Sequence, residues 1–357
     1  MSKFFKLRIA ETRKETEDCI SVRFDVPEEL SEIFEYKQGQ YLTLRAEIRG
    51  EEVRRSYSLC SSPLDNEWRV AIKKLPGGVF SSWAHEHFKT GMEVEVMPPL
   101  GRFYCELDPH KDTSYVLFAS GSGITPIMGT LKTILRQVPK ARVKLFYGNK
   151  NVASIIFREE LEDLKNKYLG RLSIHYILSR QDQESEWFNG RLDIDKLKHY
   201  AKIFFQPDEV EAYFICGPQP MLLALRQGLF DLGVEKSRVH VELFNSYVEH
   251  TAPRDPEEAK ALEGKAARVD IKVDGKSTSF MLPYGGKTVL DGALAQGADL
   301  PYACKGGVCC TCKARLVEGE VQMEVNYGLE DDEIAMGYIL TCQSHPRSEH
   351  LVVDFDQ

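Results

Sequence analysis

Four cysteines near the end of the chain constrain it more than any other feature. Cys304, Cys309 and Cys312 follow one another with four and then two residues between them, and Cys342 lies thirty positions further on. This C-x4-C-x2-C…C spacing is one with which thiolates surround a [2Fe–2S] cluster. Three ligands on one loop need a tightly bent backbone with N–H groups turned toward sulfur. Gly306 and Gly307 stand where a Cβ would obstruct such a path. Two other readings compete. A structural zinc site commonly offers two C-x-x-C pairs, and the second is missing from this chain. A redox dithiol of Cys309 and Cys312 leaves Cys304 and Cys342 without a role. Cys310 is surplus to the ligand count and reads as a small side chain filling the loop. Cys19, Cys60 and Cys105 read as core residues.

A chain of 357 residues is expected to form two or three domains. Its 43% apolar and 28% charged residues are the composition of an ordinary globular protein. The formal charge of −8 argues against nucleic-acid and anionic-membrane partners. No run approaches the roughly 18 apolar residues of a membrane span, and the N-terminus leads into a charged segment, Glu11 to Glu17, without a signal-peptide core. A cytoplasmic protein is expected.

Three segments differ in periodicity. Residues 1–108 alternate with period two in short runs, such as Cys19 to Phe24, Tyr41 to Leu44 and Trp68 to Ile72. Turn signals at Pro76-Gly77-Gly78 and Pro98-Pro99-Leu100-Gly101 separate such runs, which predicts an antiparallel β-barrel. Residues 109–245 alternate buried-strand runs (Tyr115 to Ala119, Arg142 to Tyr147, Leu172 to Leu178, Ala212 to Cys216, Val239 to Phe244) with helical stretches such as Pro126 to Gln137 and Phe157 to Tyr168. That order predicts an α/β domain with a parallel sheet. Residues 246–266, with two prolines and a charge run, read as a linker. Residues 267–357 hold the cysteine cluster.

Several short motifs fall at strand ends. Arg55-Ser56-Tyr57-Ser58 resembles the R-x-Y-S/T flavin motif of ferredoxin–NADP reductases, and Gly77-Gly78-Val79-Phe80-Ser81 resembles that family's phosphate-binding turn at a helix start. Lys37-Gln38-Gly39-Gln40-Tyr41 is similar to its P-G-Q-Y/F turn, with Gln38 in place of proline. Gly121-Ser122-Gly123-Ile124-Thr125-Pro126 follows a buried strand and opens a helix, the context of a dinucleotide-phosphate loop. It resembles the family's G-x-G-I-T/A-P variant, as Cys216-Gly217-Pro218 resembles its C-G-P motif. Around the cysteines, Leu300 to Cys304 and Tyr338 to Cys342 are similar to plant-type ferredoxins.

The resemblance implies a flavin reductase fused to a C-terminal ferredoxin: a β-barrel for FAD, an α/β domain for the pyridine nucleotide and an α+β, β-grasp-like domain for [2Fe–2S]. It implies metal ligation by Cys304, Cys309, Cys312 and Cys342. FAD would be held by Arg55 to Ser58 and by Gly77 to Ser81. The nucleotide would be held by Gly121, Ser122, Gly123, Thr125, Pro126 and by Cys216, Gly217, Pro218. Ser179-Arg180 resembles the pair that holds a 2′-phosphate, so NADPH is expected over NADH, although Asp182 lies close by. Cys216 would hold the nicotinamide, Phe244 would cover the flavin face and Glu242 would relay a proton; each also reads as an ordinary strand-end residue. The implied acceptor is a multisubunit diiron oxygenase. A reductase of another oxygenase and a non-turnover redox sensor are the alternatives. From Ala266 onward eight basic residues face fourteen acidic ones. Within that segment Asp331-Asp332-Glu333 reads either as a docking patch or as a solvated helix start.

Overall fold

The computed structural model describes residues 3–244 and 264–357, so the expected linker at 246–266 lies almost wholly outside the described residues. The described residues form two compact units, one of residues 5–53 and 57–244, the other of residues 264–357 with the short stretches at 3–4 and 54–56.

The first unit begins with six antiparallel strands: β1 (Phe5–Thr16), β2 (Cys19–Asp25), β3 (Tyr41–Ile48), β4 (Glu51–Ser58), β5 (Trp68–Lys73) and β6 (Glu93–Leu100), in the order β4-β3-β6-β1-β2-β5. The charged stretch Glu11 to Glu17 is mostly strand: in β1, Leu7 and Ile9 are wholly buried while Lys6 and Arg8 face water. Arg49 (φ 57°) and Gly50 (φ 80°) make the left-handed two-residue turn between β3 and β4. The sheet closes on itself just past β4, where Leu59 bridges to Val70 and the Cys60 N–H donates to the Arg69 carbonyl at 2.8 Å. Gln38 does not loosen its turn. Its buried amide donates to the Cys105 carbonyl at 2.9 Å, and Gly39 (φ 84°) lies so close to Phe103 that a Cβ would come within 2.0 Å of its carbonyl oxygen. Helix α1 (Val79–His87) lies between β5 and β6.

The rest of this unit is a five-stranded parallel sheet of β7 (Ser114–Ser120), β8 (Arg142–Asn149), β9 (Leu172–Leu178), β10 (Val210–Gly217) and β11 (Val239–Leu243), ordered β11-β10-β7-β8-β9. Helices α2 (Ile124–Gln137), α3 (Arg158–Lys167), α4 (Ile194–Ile203) and α5 (Gln219–Asp231) connect the strands. On one face the register partners Phe118, Phe146 and His175 stack across three strands, with ring centroids 5.2 and 5.0 Å apart, and Tyr200 of α4 stacks on Phe146 at 4.5 Å. Helix α2 joins this sheet to the barrel. A Cβ on Gly129 would meet the Leu59 carbonyl at 2.9 Å, Thr133 and Ser62 share a buried hydrogen bond of 2.8 Å, and Lys132 pairs with Asp65 at 3.4 Å.

The second unit is a mixed sheet of β12 (Ala266–Val273), β13 (Lys276–Pro283), β14 (Lys313–Glu318), β16 (Tyr338–Leu340) and β18 (His350–Asp354), with β15 (Val321–Met323) and β17 (Ser344–Pro346) forming a separate ribbon. The order is β13-β12-β18-β14-β16, and the first and last strands, β12 and β18, pair in parallel. Helix α6 (Val289–Ala295) packs on β13 through Gly292, where a Cβ would come within 2.8 Å of Leu282 and 2.9 Å of Phe280. A sheet gripping one helix is the expected β-grasp arrangement. Helix α7 (Asp331–Ala335) is a short turn before β16. Among the described residues no helix is long and apolar enough to cross a membrane.

His175 supplies a prediction. Burial in the aromatic stack lowers its pKa from 6.5 to about 4. Between those values the unfolded chain binds a proton that the folded chain does not, so this contribution is lost as pH falls from 6.5 through 4. His175→Phe should therefore raise the melting temperature more at pH 5 than at pH 7.5. A shift equal at both pH values would show that the ring does not titrate in this way.

Candidate functional site

In the parallel sheet the chain leaves β7 toward β8 and leaves β10 toward β11, in opposite directions. The crevice beyond these two carboxyl ends is a topological switch point, where open α/β sheets take their ligands. Gly121–Gly123 follows β7 and Cys216-Gly217-Pro218 ends β10. The two turns touch: a Cβ on Gly123 would lie 2.2 Å from the Cys216 carbonyl oxygen, and one on Gly217 would lie 3.1 Å from Ser120 Cβ. Gly121 is left-handed (φ 53°), and its carbonyl accepts the Tyr147 hydroxyl at 3.0 Å. Thr125 Oγ1 donates to the Ser122 carbonyl at 3.1 Å, and Pro126 sits in the first turn of α2, where a missing N–H removes no helical bond.

Helices differ in capping, although an uncapped start does not by itself mark a binding site, since α3 starts at Phe157 with no side-chain cap either. Asp193 caps α4 and Thr288 caps α6 through their side chains. Helices α1, α2 and α5 start at Gly78, Gly123 and Pro218 with no side-chain cap. Their first N–H groups suit an anion such as a pyrophosphate. At α1, Gly77 is left-handed (φ 72°), and Ser81 Oγ accepts the Leu75 N–H at 3.2 Å, which folds the Gly77-Gly78 turn onto the helix start. Phe80 is buried, with the Tyr57 ring 5.8 Å from its own, and Val79 is exposed.

Arg55, Ser56, Tyr57 and Ser58 lie along the second half of β4. Arg55 is exposed and donates to the Arg54 carbonyl at 2.7 Å, while Ser58 is buried. Ser58 Oγ donates to Glu242 Oε2 at 3.2 Å, joining the flavin motif to β11. Glu242 is the register partner of Cys216. Phe244, just past β11, packs partly buried against a core group that includes Cys216 and Ile124. The structure thus brings Ser58, Cys216, Glu242 and Phe244 to one end of the sheet. Burial lifts the Glu242 carboxyl to about 8 and pushes the Cys216 thiol far up, so both groups are neutral near pH 7. Cys216 is wholly buried and packs in the core group beside Ile124 and Phe244.

Ser179 and Arg180 follow β9, both exposed, with the Arg180 N–H donating to the Lys150 carbonyl at 2.8 Å. Lys150, just past β8, is exposed as well, and among the described residues Arg180 has no ion pair. Asp182 is also exposed, two residues on.

In the second unit the four cysteines gather as two pairs. The Cys304 and Cys309 sulfurs lie within hydrogen-bonding reach of each other, and so do those of Cys312 and Cys342. Among the described residues no three Cys, His, Asp or Glu side chains converge as one ion would require. Two thiols for each of two irons is the donor set of a [2Fe–2S] cluster, and a single tetrahedral zinc is the poorer fit. Hydrogen bonds to these sulfurs favour thiolates: Gly306 N–H donates to Cys304 Sγ at 3.3 Å, and Thr311 Oγ1 donates to Cys309 Sγ at 3.2 Å. The thiol partners and N–H donors draw Cys304 and Cys342 below the ordinary thiol range. Cys312 and Cys342 are buried, whereas Cys304 and Cys309 are half-exposed. The loop bends at Lys305 (φ 50°), Gly307 (φ 72°) and Cys310 (φ 56°), not at Gly306. Gly328 makes room for the Cys310 sulfur, since a Cβ there would lie 2.4 Å from it.

Family profiles match this chain in three places: the oxidoreductase FAD-binding domain over residues 6–104, the oxidoreductase NAD-binding domain over 117–227 and the 2Fe-2S iron-sulfur cluster binding domain over 271–347. The chain is 40% identical to a subunit of 1,2-phenylacetyl-CoA epoxidase from Escherichia coli, covering 100% of this chain and 99% of that one. It belongs to this family of NAD(P)H oxidoreductases. The reductase is also 37% identical to the ferredoxin reductase component of 3-ketosteroid-9-alpha-monooxygenase from Rhodococcus rhodochrous, over 98% of this chain and 96% of the other. Phthalate dioxygenase reductase, a solved structure, superposes with a TM-score of 0.62 at 25% identity, covering 99% of this chain and 98% of that one.

Glu333 departs from a purely solvated or docking role. It is buried, pairs with Lys313 at 3.1 Å and closes a capping box with Glu330, leaving Asp331 and Asp332 as the exposed acids. Gln343 and Lys305, beside the ligands, lie within the ferredoxin-like stretches of the sequence but are not among its expected site residues. Their signal was a buried-looking amide directly after Cys342 and a lysine directly after Cys304.

The raised pKa of Glu242 gives a test. The carboxyl titrates near 4.5 when unfolded and near 8 when folded. Stability from this group is therefore full below about pH 4.5 and is lost as pH rises through 8. The melting temperature of Glu242→Gln relative to the parent protein should climb between pH 5 and pH 8.5. A constant difference would show that the carboxyl titrates as it does in water.

Proposed function

We propose that this reductase takes electron pairs from NADPH and delivers them singly to a multisubunit diiron oxygenase of the phenylacetyl-CoA epoxidase kind. FAD, when bound, accepts a hydride, and a [2Fe–2S] cluster passes on one electron at a time, which converts a two-electron donor into two single-electron deliveries. The observation that carries the reading is the pairing of Cys304 with Cys309 and of Cys312 with Cys342, in a chain that also builds a nucleotide switch point. A redox sensor has no need of the second feature.

In this reading Arg55 binds the FAD pyrophosphate with the open N-terminus of α1 (Gly77 to Ser81), while Tyr57 and Ser58 address the flavin ring and ribityl chain. Gly121 to Pro126 cradle the nucleotide phosphates. Cys216, Gly217 and Pro218 would hold the nicotinamide, and Phe244 would cover the flavin face. Glu242, neutral and bonded to Ser58, holds a proton at the edge of that site. The domain limits 1–108, 109–245 and 267–357 and a cytoplasmic location belong to the same reading. The 37% identity to a steroid monooxygenase reductase supports a second reading, in which the acceptor is a different oxygenase. Turnover reconstituted with each purified oxygenase would decide between them.

Cofactor order is testable by removing one ligand. Cys342→Ser should lose the visible absorbance of the cluster and retain FAD. Its NADPH–ferricyanide activity should largely survive, and its cytochrome c reduction should fall. Loss of flavin reduction by NADPH in the folded variant would contradict a relay that runs from nucleotide to flavin to cluster.

NADPH preference rests on Arg180, with Lys150 beside it. Arg180→Ala should weaken NADPH use by about 1.5–3 kcal/mol, the range for charged hydrogen bonds, or roughly tenfold to a hundredfold in kcat/KM. NADH use should change little. Equal losses with both nucleotides would remove Arg180 from a 2′-phosphate site.

A further inference from the structure

Gln343 is wholly buried directly after Cys342. Its Nε2 lies 2.9 Å from the Lys305 carbonyl, 2.9 Å from the Cys342 carbonyl and 3.5 Å from Cys342 Sγ. Carbonyls only accept, so these two fix which end of the amide faces the loop, and with two protons on Nε2 the longer contact to Cys342 Sγ shares the one that also faces the Cys342 carbonyl. The other end, Oε1, is buried with no hydrogen-bond partner among the described residues. An unpaired buried acceptor carries a desolvation cost that an apolar side chain of the same shape would avoid. Filling space therefore does not account for a glutamine at this position.

The surroundings show what the amide holds. Lys305 is left-handed (φ 50°), an uncommon conformation for a residue with a Cβ, and it directly follows Cys304. Its ammonium pairs with Asp291 at 2.7 Å, half-exposed and so weakly stabilising, and lies 4.8 Å from the centre of the Tyr302 ring. Gln343 itself is held at both backbone ends, donating to the Leu340 carbonyl and accepting from the Glu324 N–H, each at 2.9 Å. Its side-chain stem lies so close to Gly307 that a Cβ there would come within 3.2 Å of Gln343 Cγ. The amide thus links the loop of Cys304, Cys309 and Cys312 to the distant strand end of Cys342.

We propose that Gln343 is a positioning residue of the cluster site, clamping the left-handed Lys305 step and donating to Cys342 Sγ so that it raises the cluster's reduction potential. The inference rests on the reading of the four cysteines as ligands. An N–H aimed at a ligand sulfur stabilises the more negative, reduced state, so its loss disfavours reduction.

The test uses the full chain with its cofactors. In Gln343→Leu, cluster reduction should become about tenfold less favourable, which for a one-electron couple is about 59 mV more negative. Redox titration followed by the EPR signal of the reduced cluster reads this shift, and the flavin potential should not move. If Gln343→Leu fails to retain the cluster, Lys305→Gly is added, since glycine takes a positive φ without strain. The double variant should regain iron and acid-labile sulfide, with a potential below that of Lys305→Gly alone. An unchanged potential in Gln343→Leu, no recovery in the double variant, or equal potentials in the double variant and Lys305→Gly would overturn the role of Gln343. A parent protein without acid-labile sulfide would instead overturn the ligand assignment itself.

Discussion

The nucleotide end of the reductase depends on one steric fact: no atom fits between Gly123 and the Cys216 carbonyl. A Cβ at Gly123 would lie 2.2 Å from that oxygen and 2.9 Å from the Gly217 nitrogen. Because the two turns are in backbone contact, the start of α2 and the start of α5 open on the same crevice, neither with a side-chain cap. Any larger residue at Gly123 would force the carboxyl ends of β7 and β10 apart, together with the switch point that they define.

The same helix carries the constraint to the barrel. Gly129 of α2 sits against the carbonyls of Leu59 and Ser61, the residues that continue β4 beyond the flavin motif. The Ser62–Thr133 hydrogen bond and the Lys132–Asp65 pair close the contact. Ser58 also reaches Glu242 on β11. Two candidate subsites that must address each other across a short gap are therefore fixed to one packed body, as precise positioning requires. Gly123, just before α2, and Gly129 within it do this by allowing backbone to lie against backbone where a side chain would hold it off.

Patterns that act locally were legible in the sequence, and those that depend on distant partners were not. Cysteine spacing, the glycine loop after a buried strand and the strand–helix alternation each report a nearby backbone requirement, and the fold follows them closely. Strand β1 is not among the runs that the alternation singles out, because its outer face is charged on a barrel that shows that face to water, so Glu11 to Glu17 stands out only as a charged segment. The left-handed steps at Lys305 and Cys310 could not be foreseen, since the residue types disfavour them and only Gly307 advertises its conformation. Gln343 is invisible for another reason: its partner, the Lys305 carbonyl, is 38 residues away. Glu333 resembles its acidic neighbours in sequence, and only the fold buries it against Lys313.

The two candidate redox sites treat charge in opposite ways, and each way suits what its site is proposed to do. Beside the switch point, burial keeps Cys216 and Glu242 neutral near pH 7. A site for hydride transfer between two rings gains from this, because an ionised group buried without a partner would bias one nucleotide oxidation state over the other. Around the cysteine pairs the arrangement is reversed. Gly306 N–H, Thr311 Oγ1 and Gln343 Nε2 all donate to sulfur, and the ammonium of Lys305, directly after Cys304, pairs with Asp291. Fixed dipoles rather than a counter-cation thus stabilise the thiolates. Such dipoles hold negative charge without neutralising it, which keeps an added electron available to an acceptor rather than trapped in an ion pair.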